Sequence, residues 1–148
     1  MVKSLLYGTA SLFVFSCAAC ANPGPGDLGV KDGMLPSCPA RPNCVSSQSV
    51  DVRYRIEPLR YTTSLHDAQE KLLTILRSMQ RTTIIVREDD YIHATSASFL
   101  FRFVDDVEFY FYAEEKTIHV RSASRLGYYD FGVNRRRVDH IRNYFSTR

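Results

Sequence analysis

The chain has 148 residues, 19 Lys and Arg against 16 Asp and Glu, a formal net charge of +3, and 45% apolar and 12% aromatic residues. That length is one domain once a targeting segment is removed, and the apolar content excludes a disordered chain. The charge excess is too small to mark a nucleic-acid binder on its own, so no nucleic acid is expected as a partner.

The first 21 residues read as an export signal: Lys3 gives a positive start, Leu5 to Phe15 is apolar, and small residues follow. The apolar run is shorter than the roughly 20 residues that cross a bilayer. Bacterial lipoprotein signals end in an apolar residue, two small residues and a cysteine, and Cys17-Ala18-Ala19-Cys20 resembles that lipobox. Cleavage before Cys20 gives a signal peptide over residues 1–19 and commits Cys20 to a lipid anchor. It also leaves Cys38 and Cys44 as an even pair. Two alternatives stand beside it: cleavage before Cys17, where Phe15 is bulky, and ordinary signal cleavage around Ala19 to Ala21, giving a soluble secreted protein. Neither candidate cysteine is followed by Asp. By resemblance to lipoprotein sorting in Gram-negative bacteria, that favours the outer membrane of an organism that has one.

Residues 20–36 are rich in Gly and Pro and carry no hydrophobic period, the pattern of a flexible tether spanning roughly 20 Å. A single domain is expected over residues 37–148. Cys38 and Cys44 lie six positions apart with Pro39 and Pro42 between them. In an oxidising compartment a disulfide closes such a loop, contributing about 2 kcal/mol. Free thiols are the second reading. The spacing is neither the Cys-x-x-Cys of redox catalysis nor a zinc pattern, so no metal and no cofactor is expected.

Arg53 to Leu59 reads as a first strand ended by Pro58. Ser64 is a helix N-cap with Asp67 three residues on, and Leu65, Ala68, Leu72, Ile75, Leu76 and Met79 set a helix from Leu65 to about Gln80. The period then drops to two: Thr82 to Glu88, Tyr91 to Phe103, Val107 to Tyr112 and Ile118 to Arg125 read as a meander of strands. A last helix from Asn134 to about Tyr144 buries Val138, Ile141 and either Tyr144 or Phe145. The fold class expected is α+β, an antiparallel meander sheet of four to five strands with two helices packed on it.

The region from Arg121 to Arg137 gathers five arginines around Gly127 and Gly132. Arg135, Arg136 and Arg137 stand in the first turn of the last helix, against the macrodipole, so an offsetting negative group is expected there. It is either the acidic Asp105-Asp106-Val107-Glu108 segment or an external anion. Strand alternation puts Arg121 and Arg125 on one face, and Asp106 and Glu108 on one face with Tyr110, within cross-strand reach of Arg121.

Pro-x-x-Pro-Asn-Cys-Val-Ser-Ser at 39–47, Asp105-Asp106-Val107-Glu108-Phe109, and Arg121-Ser122-Ala123-Ser124-Arg125 with Gly127, Asp130, Gly132, Asn134 and Arg135 resemble the bacterial family catalogued as domain of unknown function 1499. The resemblance runs from Leu35 to the C-terminus. It implies an exported protein, often a lipoprotein, and supplies no activity. In the three-arginine run, Arg135 is expected to carry the motif.

Three readings of this region stay open. The six residues Asp105, Asp106, Glu108, Arg121, Arg125 and Arg135 form a buried network that pins the turn to the sheet. Alternatively Arg121, Arg125 and Arg135 bind a phosphate or carboxylate group of an anionic small ligand, or an envelope protein partner. The third is catalysis on an anionic envelope substrate. It is disfavoured because His119 and Ser122 or Ser124 fall on opposite faces of one strand, and no known nucleophile, zinc or phosphate motif is present. The four histidines, His66, His93, His119 and His140, show no ligand spacing and read as surface or packed residues. Tyr128, Tyr129 and Phe131 are expected to plug the core under their loop, with a ligand or partner clamp as the alternative.

Overall fold

The computed structural model describes residues 27–99 and 102–147. The expected signal peptide, the lipid-anchor Cys20 and the first part of the tether lie outside the described residues. The elements are β1 (Cys44–Ser46), β2 (Leu59–Arg60), α1 (Leu65–Ser78), β3 (Thr82–Arg87), β4 (Tyr91–Ala97), β5 (Val104–Tyr112), a single 3-10 turn (Ala113–Glu115), β6 (Thr117–Ser124) and α2 (Val133–Ser146). All strands pair antiparallel in the order β1-β6-β5-β4-β3, with β2 also on β6. This is the α+β meander with two helices that the hydrophobic period predicts.

Both helices cover one face of the sheet. Val107, Phe109 and Phe111 of β5 alternate inward and register with Ser122, Val120 and Ile118 of β6 and with Ala94 and Ile92 of β4. Leu72, Leu73 and Leu76 of α1 and Val138, Ile141 and Phe145 of α2 close on them in one apolar cluster. Each fully buried Leu, Ile or Phe contributes roughly 1.5–3 kcal/mol relative to exposure, so this layer fixes the register. The choice left open in the last helix falls to Phe145; Tyr144 is exposed.

Ser64 caps α1 as its sequence suggests, its Oγ accepting the Asp67 amide at 3.0 Å. The strand expected over Arg53 to Leu59 does not form. Asp51 accepts the Arg53 amide and side chain, which folds residues 51–54 into a turn; Arg55 makes an isolated parallel bridge to Ser46, and Leu59–Arg60 forms a two-residue strand on β6. The strand before the turn is instead β1, held on β6 beside the Cys38–Cys44 disulfide, whose Cα atoms are 5.6 Å apart. β4 ends at Ala97, because Ser98 closes a loop through its amide to the Phe103 carbonyl and its Oγ to the Phe103 amide. In β3 the register shifts between Ile84 and Val86, a bulge in the strand at the sheet's far edge.

Residues 29–35 lie against the helix-free face although their composition reads as tether. Gly29 N–H donates to Glu108 Oε1 at 2.9 Å, Leu35 N–H donates to Gln48 Oε1 at 2.8 Å, and Leu35 is buried.

Candidate functional site

The two faces of β5 and β6 carry two separate polar clusters. On the helix-free face, Glu108 stands opposite Arg121 and Asp106 opposite Ala123. Arg121 Nη1 donates to Glu108 Oε2 at 2.8 Å, while Tyr91 Oη and Gly29 N–H both donate to Oε1 at 2.9 Å. Glu108 has no exposed surface at all. Asp106 is held by both donors of the Arg125 fork, Nε at 2.9 Å and Nη2 at 2.8 Å, and by His93 Nε2 at 2.8 Å. Bidentate, charge-assisted bonds of this kind are stronger than neutral ones.

The electrostatics follow the bonds. Burial opposes ionisation of Asp106, but the bonds from His93 and Arg125 outweigh it and hold the carboxyl below its usual range. The bond to Asp106 pushes the Arg125 guanidinium upward. Burial first, then the Glu108 charge, raises the Tyr91 phenol, which therefore stays a proton donor.

A cleft of about 740 Å³ opens beside this cluster, floored by Asp106, Arg121 and Arg125 and walled by Lys31, Arg41 and Asn43. Asp27, the stretch from Leu28 to Val30 and the stretch from Met34 to Ser37 add to the wall. Arg121 Nε and Asn43 Oδ1 are buried without a hydrogen-bond partner among the described residues. Among the described residues, Lys31 and Arg41 pair with no carboxylate.

The second cluster lies under the start of α2 on the helix face. Asn134, fully buried, donates through Nδ2 to Asn43 O at 3.0 Å, Ser124 Oγ at 3.0 Å and Asp130 Oδ2 at 2.9 Å. Its Oδ1 accepts from Ser122 Oγ at 2.6 Å and Arg137 Nη1 at 2.7 Å. Arg137 Nη2 reaches Asp105 Oδ2 at 2.5 Å. Asp130 accepts the Gly132 and Asn134 amides at 2.8 and 2.9 Å, so its carboxylate offsets the arginines at the helix start. Gly132 sits at φ +75°, where an L side chain is strained.

The residues singled out from sequence therefore divide. Arg121 and Arg125 meet Glu108 and Asp106 on one face, and Asp105 meets Arg137 on the other. Arg135 joins neither cluster: its guanidinium donates to the Arg55 and Arg53 carbonyls at 2.9 and 3.2 Å, beside a second hollow that Tyr128 and Tyr129 also line. Arg135 thus stands outside the acidic network it was grouped with, while Arg137 bonds Asp105 and Asn134 because α2 turns it toward the sheet.

Sequence reasoning passed over His93, Tyr91, Asn43 and the helix-start role of Asp130. Tyr128, Tyr129 and Phe131 do not plug the core; they are 70%, 56% and 77% exposed. Ser122 and Ser124 are both held by Asn134. The serine nearest a histidine in the bonded geometry is Ser47, whose Oγ stands 3.3 Å from His119 Nδ1 while accepting the Val120 amide at 2.9 Å. Burial, with help from Arg60, lowers the His119 imidazole despite Glu115. Among the described residues no group of three metal-binding side chains forms. No described helix is long and apolar enough to cross a membrane.

Fold and site together define an α+β sheet domain with a buried ionic cluster flooring a basic cleft. Residues 34–145, about three quarters of the chain, match the family described as Protein of unknown function (DUF1499), and the chain belongs to that family. Comparison with curated proteins and with solved structures returned no match.

Proposed function

We propose that the chain is an envelope lipoprotein that binds an anionic group, a phosphate or carboxylate of a small ligand or acidic partner, without transforming it. Signal residues 1–19 are removed, Cys20 takes the lipid, and the domain stands extracytoplasmically on a short tether, at the outer membrane where there is one. The observation that carries the ligand is the charge of the cleft: Lys31, Arg41, Arg121 and Arg125 line it against the two carboxylates of Asp27 and Asp106. Glu108 and Asp106 commit the deep arginines to fixed positions. Among the described residues the wall cations Lys31 and Arg41 form no ion pair, so against the one wall carboxylate of Asp27 they leave an excess of positive charge, and in a concave site such charge raises the local concentration of anions.

Titration of inorganic phosphate and of acetate into the isotope-labelled protein tests this by amide shifts. Saturable shifts at Lys31, Arg41 and Arg125 are expected, lost in Lys31→Ala/Arg41→Ala at unchanged thermal stability. Shifts that are absent, or unchanged in the double variant, overturn the ligand. Mass spectrometry of the mature N-terminus tests the anchor separately: acylated Cys20 supports it, and an unmodified Ala or Asn terminus removes it.

A further inference from the structure

The antiparallel register sorts the connections of the sheet to two ends, and the two ends differ in chemistry. At one end lie the β4–β5 connection, the β6–α2 connection and the turn into β3. The Arg125 amide donates to Val104 O at 3.1 Å and the Ala97 amide donates to Arg81 O at 3.0 Å, which ties the three together. Here Phe99 is 81% exposed, as Tyr128 and Phe131 largely are. Tyr129 packs edge-on against Phe131 with ring centroids 5.0 Å apart. Arginines interleave them: the Arg81 guanidinium lies 5.4 Å over the Phe99 ring, Arg136 donates to the Phe131 carbonyl at 2.8 Å, and Arg102 is exposed.

At the opposite end lie the β3–β4 turn with exposed Glu88, Asp89 and Asp90 and the β5–β6 turn with exposed Glu114 and Glu115. The domain is thus polarised along its strands, aromatic and basic at one end, acidic at the other. Asp27, where the described chain begins, lines the cleft with Asp106 and Arg125, the ionic-cluster residues nearest the aromatic end in strand register.

We propose that the aromatic end is a docking surface for an anionic phospholipid bilayer. Exposed aromatic rings on separate, tied loops suit the headgroup layer, where amphipathic rings concentrate. The interleaved arginines complement lipid phosphates, and the acidic end is repelled from the same surface, so charge sets a single orientation. The docking is a property of the folded domain. It goes beyond the ligand cleft and does not depend on the identity of the terminal modification.

The chain contains no Trp, so a single introduced Trp reports its own surroundings in the full-length protein. Tyr128→Trp, mixed with phosphatidylcholine vesicles carrying phosphatidylglycerol, is expected to shift its emission to the blue and to be quenched by brominated lipid. Glu114→Trp at the acidic end is expected to do neither. That contrast separates docking of the domain from insertion of the N-terminal apolar segment alone. Arg102→Gln with Arg136→Gln is expected to weaken vesicle affinity, read from the lipid concentration that half-completes the shift at residue 128, about 30-fold, with thermal stability checked alongside. Equal responses at residues 114 and 128, or none at 128, overturn the proposal. A blue shift at 128 that grows with protein concentration in the absence of vesicles means a second copy covers the patch, and equally overturns it.

Discussion

β5 and β6 carry one polar cluster on each face, built from alternating residues of the same two strands, yet the two clusters are closed to different degrees. Under α2, Asn134 satisfies every partner around it: two serines, two loop groups and Arg137 are drawn onto one amide, and the apolar layer seals the rest. On the other face the acids are equally well bonded, but the arginines border a cleft and Arg121 keeps one nitrogen without a partner among the described residues. A sheet has room to bury charge on both faces only when something covers each. Here two helices cover one face, and residues 29–35 cover the other incompletely. The first cluster specifies where α2 docks; the second positions arginines beside an opening.

The largest way to break that contrast is Glu108→Gln. It keeps the volume of a fully buried side chain and strips the charge that Arg121 answers, an uncompensated buried cation that costs about 3–5 kcal/mol. Urea unfolding measures it, and a loss under 1 kcal/mol shows that the cleft hydrates Arg121 well enough for the pair to be dispensable. Asn134→Ala attacks the sealed side. It removes the amide's bonds to Asn43 O, Ser122, Ser124, Asp130 and Arg137 together, although Asn43 O keeps the Ser124 amide and Arg137 keeps Ser122 and Asp105, with an expected loss of about 2–3 kcal/mol. Hydrogen exchange in this variant is expected to rise first in α2 and residues 125–132 and to spare the β4–β5 pairing; uniform exchange across the sheet contradicts the division of roles.

The smallest effect is in acid. Asp106 is held below its unfolded carboxyl value of about 3.9, so below that value the unfolded chain binds the proton more readily than the native one. Its contribution is complete above pH of about 3.9 and is lost as pH falls through the lowered native value. Asp106→Asn is expected to flatten that part of the stability profile. An unchanged profile places the acid sensitivity elsewhere.

Much of this was readable from period alone. Alternation in two strands and one short connection between them bring Arg121 to Glu108 and leave Arg125 on the face of Asp106, and a helical period places Val138 and Ile141. The same helical period holds information that is easy to pass over. Asn134 and Arg137 lie four residues before Val138 and Ile141, on the buried stripe, while Arg135 is turned away. His93 and Tyr91 are a different matter. Their meeting with Asp106 and Glu108 depends on where the β4–β5 loop closes, and Ser98 and Phe103 set that through backbone geometry, not through any hydrophobic pattern. The contact of Gly29 with Glu108 is least legible of all, because a Gly- and Pro-rich segment looks identical whether it hangs free or lies along a sheet. The exposed Tyr128, Tyr129 and Phe131 contradict the usual burial of aromatics for a related reason: Gly127 and Gly132 at positive φ turn the backbone so that the rings face outward.

The bulge between Ile84 and Val86 has a consequence beyond this fold. β3 is the long open margin of the sheet, since β1 and β2 share the opposite side as short pieces, and Ile85 on it is 54% exposed. A straight apolar margin invites a neighbouring molecule to add its own strand and so to polymerise. The break in pairing rhythm, with Arg81 and Arg87 flanking it, denies an incoming strand a continuous row of donors and acceptors. That irregularity works as a guard against fibre growth between copies of the domain.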